Sequence, residues 1–100
     1  MSFSPIADTV SAAVTTSSAA LALATIPDGG GVVRIYNDEA QAAFVKFGTS
    51  TVTVTTTTGT PIASKAALEF EVGPTITHVA HITTGTPSAK IYATTGKSTR

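Results

Sequence analysis

One hundred residues suffice for one domain and leave no room for a second hydrophobic core. Charged residues make up 12% of the chain, against about 25% in ordinary soluble domains, and the formal net charge is zero, so Thr, Ser and Ala must cover much of the surface. The absence of cysteine excludes disulfides, thiolate nucleophiles and thiolate metal sites, and the scattered basic residues Arg34, Lys46, Lys65, Lys90, Lys97 and Arg100 exclude a groove that tracks nucleic-acid phosphates.

Residues 1–14 carry the apolar side chains Phe3, Ile6, Val10 and Val14 without strand alternation. They are read as an N-terminal arm ahead of a β-domain over residues 15–96, with 97–100 as a polar tail. From Val14 onward the composition favours strands, because Val and Thr are stiff at the first side-chain torsion and pack well on a pleated surface. Ala19, Leu21 and Leu23 alternate with smaller residues up to a turn at Ile26-Pro27-Asp28-Gly29-Gly30-Gly31.

Val33 and Ile35 alternate with Arg34 and Tyr36, and Val45 and Phe47 alternate with Phe44 and Lys46. The polar residues between them, beginning Asn37-Asp38-Glu39, suit a loop, so these two segments are expected to form a hairpin. Residues 51–55 read Thr-Val-Thr-Val-Thr, which predicts a strand with valines on one face. Leu68, Phe70 and Val72 alternate with Glu69 and Glu71 until Gly73-Pro74 turns the chain. Ile76, His78, Ala80 and Ile82 share one face of the next strand and Thr77, Val79, His81 and Thr83 the other; both faces are partly apolar, which predicts a strand covered on both sides. Ala89, Ile91 and Ala93 form the last strand. The pentapeptide Thr-Thr-Gly-Thr-Pro occurs at 57–61 and again at 83–87, which is read as shared turn chemistry.

Seven to eight short antiparallel strands at roughly 8–12-residue spacing, separated by Gly/Pro turns, indicate an all-β fold: a single small β-sandwich or jelly roll. Its core is expected from Leu21, Leu23, Val33, Ile35, Val45, Phe47, Val52, Val54, Leu68, Phe70, Val72, Ile76, Ile82 and Ile91.

No constellation points to catalysis, a metal or a cofactor, and none is assigned. His78 and His81, the only histidines, are three apart on a strand and so point to opposite faces. Glu69 and Glu71 share a face with Cα atoms about 7 Å apart, yet nothing provides the apolar cleft that would raise one carboxyl's pKa. Gly96-Lys97-Ser98 matches only the end of a phosphate loop, and Gly29-Gly30-Gly31 is not followed by a helical pattern.

The phrases Val33-Arg34-Ile35-Tyr36-Asn37, Ala43-Phe44-Val45-Lys46-Phe47-Gly48-Thr49, Leu68-Glu69-Phe70-Glu71-Val72-Gly73-Pro74 and Thr77-His78-Val79-Ala80 resemble small virion proteins of tailed bacteriophages, of the capsid decoration or cement type, over roughly residues 15–96. The resemblance implies a compact β-sandwich, the major capsid protein as partner, many identical copies, and a location in the virion after synthesis in the host cytoplasm. No nucleic acid or membrane is expected as partner; the first basic residue, Arg34, follows the apolar stretch 19–24 instead of preceding it, unlike a secretory signal. Other virion parts, such as a tail or head–tail connection protein, and a carbohydrate-binding sandwich remain open. The apolar residues of the arm, Phe3, Ile6, Val10 and Val14, are the expected partner contacts, because an apolar segment without a core seeks a partner.

Overall fold

Among the described residues the chain forms nine strands, the longer ones on alternating apolar and polar positions: β1 (Phe3–Pro5), β2 (Val10–Ala13), β3 (Ala19–Ala22), β4 (Gly31–Asn37), β5 (Ala43–Gly48), β6 (Thr60–Ile62), β7 (Ala66–Val72), β8 (His78–Thr83) and β9 (Lys90–Ser98). The computed structural model describes residues 3–5, 9–24, 26, 30–85, 87 and 89–98, and no helix occurs among them. The fold is all-β. Sheet A has the order β1-β9-β4-β7, with β2 also on β9; sheet B has the order β3-β8-β5-β6. Because β1 faces residues 96–98 of β9 and β2 faces residues 90–93, these two short strands share one edge position, and each sheet is four positions wide.

The pairing is nested. β1 and β2 pair with β9, β3 with β8, β4 with β7 and β5 with β6, all antiparallel. The chain is therefore one long two-stranded ribbon with its tip between β5 and β6, and successive rungs of the ribbon fall alternately in sheets A and B. Rolling it up adds the contacts β4–β9 and β5–β8. This is the jelly-roll arrangement, in which two sheets close over a shared apolar layer.

The topology corrects the expected hairpin. β4 and β5 lie in different sheets, and the loop between them crosses the roughly 10 Å gap that separates stacked sheets. Asn37, fully buried at the end of β4, holds the crossing in place: its Nδ2 donates to the carbonyls of Gln41, Ile62 and Ala63, and its Oδ1 accepts from the Glu39 amide. These bonds tie the loop to the end of β6 in the opposite sheet.

Residues 51–55 are also corrected, because they belong to no ladder. Their alternation is real, with Val54 2% exposed, Val52 half-buried and Thr51, Thr53 and Thr55 exposed. The valines, however, pack on the outer face of sheet B. Val54 donates its amide to Ser18 Oγ at 3.0 Å, and a Cβ on Gly59 would stand 2.6 Å from Val54 Cγ2 and 2.8 Å from Phe44 Cβ, so only glycine lets the strip lie this close. Ala80, whose register turns it to that face beside Lys46, is fully buried. β8 is accordingly covered on both sides, as its two partly apolar faces predicted: Val79, Ala80 and His81 are all buried.

The core contains Val33, Ile35, Val45, Val72 and Ile91 as expected, with Leu21, Leu23, Phe47, Phe70 and Ile76 packed around it; Ile82 is half-buried on the outer face of sheet B. Leu68 is the exception at 42% exposed, because β7 is an edge strand and β6, its counterpart in sheet B, is only three residues long. Val14, Ile26, Ala43, Ile62, Val79 and Ala93 complete the cluster. The polar tail is shorter than expected, since β9 includes Lys97 and Ser98. The two Thr-Thr-Gly-Thr-Pro copies do not share a turn: Gly85 has φ +75°, whereas Gly59 lies outside the left-handed region and leads into β6.

Candidate interaction surfaces

Two of the four expected contact residues, Val10 and Val14, belong to the sandwich. Val14 is 2% exposed in the core, and Val10 packs against that cluster opposite Ala93. Neither is free for a partner. Phe3 has its backbone in β1 opposite Ser98, and Ile6 lies outside the described residues. The misreading has a plain cause: β2 is four residues long and its inward positions are Val10 and Ala12, too few to reveal a period of two. Removing residues 1–12 strips β9 of its outer neighbours. It is expected to lower unfolding stability by about 2 kcal/mol or more through lost ladder bonds and apolar burial. A thermal melt followed by circular dichroism checks this, and an unchanged midpoint would show that β1 and β2 contribute nothing.

The titratable residues fall into separate places. The register puts His81 on the inner face opposite Val45 and His78 on the outer face opposite Gly48, so the two rings diverge. His78 Nδ1 lies 2.8 Å from the Thr77 hydroxyl. Glu69 and Glu71 stand on the outer face of sheet A, where Glu69 receives Arg34 Nη1 at 3.2 Å. Glu39 is fully buried, and its Oε2 accepts the Ala89 amide at 2.8 Å, which anchors the approach to β9. Lys65 Nζ donates to the carbonyl and to Oδ1 of Asp38, and this pairing raises the Lys65 pKa. Among the described residues, no three His, Asp or Glu side chains come together as a metal would require. Gly96 and Lys97 lie within the β9 ladder, and Gly31 begins β4, so neither glycine segment caps a helix.

His81 is 1% exposed, its Nδ1 has no hydrogen-bond partner, and burial lowers its pKa. The folded protein therefore holds it neutral, whereas in the unfolded chain it takes up a proton below about pH 6.5. The unfolded state binds more protons there, so stability conferred by neutral His81 is present above pH 6.5 and falls on acidification. The slope should approach 1.4 kcal/mol per pH unit at most, about the value for one proton. Denaturation at a series of pH values checks this, and His81→Leu should remove that part of the slope.

The surface divides by charge. Of the charged residues described, Arg34, Glu69, Glu71, Lys90 and Lys97 stand on strands of sheet A, and Asp38, Glu39 and Lys65 lie in loops at one end. Lys46 alone stands on sheet B. Over sheet B lies the strip of residues 49–58, which exposes Thr49, Ser50, Thr51, Thr53 and Thr55 to Thr58 and carries no charge. Its tip is internally bonded: Thr55 Oγ1 lies 3.0 Å from the hydroxyls of both Thr57 and Thr58, and the Thr55 amide donates to Thr58 Oγ1. The result is an internally bonded pad of hydroxyl and methyl groups. On the outer face of sheet A, Tyr36 and Tyr92 stand opposite each other with ring centroids 6.3 Å apart.

No family model, no curated protein and no solved structure matches the chain.

Proposed function

We propose that the protein is a non-enzymatic structural component of a bacteriophage virion that decorates the capsid and stabilises it by binding across major capsid protein subunits. One observation carries this reading: among the described residues, every charge except Lys46 stands on sheet A or in the end loops, while the sheet B side presents the uncharged threonine pad. Lys46 is the one charge described on that side, and the threonine methyls and hydroxyls beside it can be covered by a neighbour that supplies hydrogen-bond partners, whereas the charged side keeps the outer face hydrated. The resemblance of the strand phrases to phage decoration proteins points the same way, and a rigid jelly roll suits a part used in many copies. The mechanism is mass action, since a protein that binds only the assembled shell shifts the equilibrium toward it.

Mass spectrometry of purified particles tests the reading. A copy number comparable to that of the major capsid protein is expected; a handful of copies would favour a tail or head–tail connection part, and absence from particles would end the virion reading. Thr53→Lys and Thr57→Lys, both at exposed positions, should leave the fold intact and weaken binding to capsids that lack the protein.

A carbohydrate-binding sandwich is the second reading, favoured by the Tyr36–Tyr92 pair. The rings are half-buried and inclined at 35°, which denies them the flat platform that stacks on a sugar. Calorimetry with neutral oligosaccharides, giving heat that Tyr92→Ala abolishes, would raise this reading above the first.

A further inference from the structure

We infer that the free edge of β3 is a self-pairing edge, which takes β3 of a second copy antiparallel about a two-fold axis. A sheet edge leaves backbone donors and acceptors open to any extended chain, and proteins that stay monomeric blunt such edges with charge, proline, interruption or brevity. Three of the four edges here are blunted. β7 carries Glu69 and Glu71, β6 is three residues long with Pro61 at its centre, and the β1/β2 edge is split in two and contains Pro5.

β3 is short, at four residues, but carries no charge, proline or interruption. Its sequence is Ala-Ala-Leu-Ala, Ala19, Ala20 and Ala22 are exposed, and no charged residue occurs between Asp8 and Asp28. Leu23 donates its amide to the Thr77 carbonyl, so by strand alternation Leu21 and Leu23 direct their backbone groups at β8, while Ala20 and Ala22 direct theirs away from it.

A second copy fits this edge better than a charged or bulky strand. Alanine lets another backbone approach to the roughly 4.8 Å of a ladder without a steric clash. Identical uncharged edges meet without the like-charge repulsion that self-pairing otherwise brings. With the axis at Leu21, Ala20 of each copy exchanges hydrogen bonds with Ala22 of the other, and the two Leu21 side chains meet. Leu21 is half-buried at the rim of the core, so the pairing completes its cover and joins the inner apolar layers of two sandwiches. The two sheets B become one of eight strands. Four residues per copy bury far less than the roughly 1,200–2,000 Å² of a stable complex, so association should depend on concentration.

The inference stands apart from the virion reading and is tested on the purified chain. In sedimentation equilibrium the wild type should rise from 10.0 kDa toward twice that mass with loading concentration. Ala20→Lys and Ala22→Lys should stay monomeric throughout, and Glu71→Lys on the β7 edge should associate as the wild type does. Amide exchange provides a readout that needs no substitution: the Ala20 and Ala22 amides should become protected as concentration rises. A wild type that remains monomeric up to its solubility limit, association that survives both lysine variants, or exchange at Ala20 and Ala22 that is independent of concentration would each overturn the inference. None of these outcomes touches the particle measurement, which decides the virion reading separately.

Discussion

Replacing Ile35 by alanine is expected to lower the unfolding free energy by about 3–4 kcal/mol, among the largest effects of a single apolar truncation. Ile35 is fully buried on β4, a central strand of sheet A flanked by β7 and β9, where its register partners are Leu68 and Ala93. Strands paired on both sides cannot shift to fill the void, so the lost transfer energy and the cavity add. In a 100-residue domain this corresponds to a fall in Tm of more than about 10 °C. Denaturant titration should show a lower midpoint at unchanged slope. The companion variant Leu68→Ala, at a site 42% exposed directly opposite on edge strand β7, should cost under about 1 kcal/mol. Equal losses at the two sites would mean that β4 is not central.

Asn37→Ala should cost about as much, by a different route. The side chain is fully buried and bonds to three carbonyls and one amide, at Gln41, Ile62, Ala63 and Glu39. Alanine leaves all four groups without this partner, the Ile62 carbonyl and the Glu39 amide in buried positions, and an unsatisfied buried group costs about 1–3 kcal/mol. Since some of them can relax toward water at the end of the sandwich, a net loss of about 3 kcal/mol is expected. Asn37→Asp should also destabilise, because it removes the donor and places a carboxylate against three carbonyl oxygens. Chemical denaturation of both variants, with hydrogen exchange at the Glu39 amide to report the loop, checks this. If Asn37→Ala melts like the wild type, the crossing between sheets is held by the other bonds of this loop, from Ala89 to Glu39, Ser64 to Glu39, Lys65 to Asp38 and Gln41 to Thr84.

Local alternation is legible in the order of the residues alone. β4, β5, β7 and β8 stand where period-2 patterns placed them, Glu69 and Glu71 face outward together, and His78 and His81 diverge, because side-chain direction in a strand follows from the pleat. Alternation says that one face of a strand is covered; it does not say by what. Long-range packing sends β4 and β5 to different sheets, lays Val52 and Val54 over the outside of sheet B, and draws Val10 and Val14 into the sandwich. It also decided that the small residues Ala43, Ala80 and Ala93 are buried while Leu68 is exposed, since burial depends on whether a strand is central or at an edge and not on hydrophobicity alone. The buried Asn37 and Glu39 read as an ordinary polar turn, and nothing local distinguishes them, because the carbonyls and amide they bond lie as many as 26 and 50 residues away. The division of charge between the two sheets was hidden for the same reason: charged residues spaced along the chain gather on one side only when the ribbon rolls up.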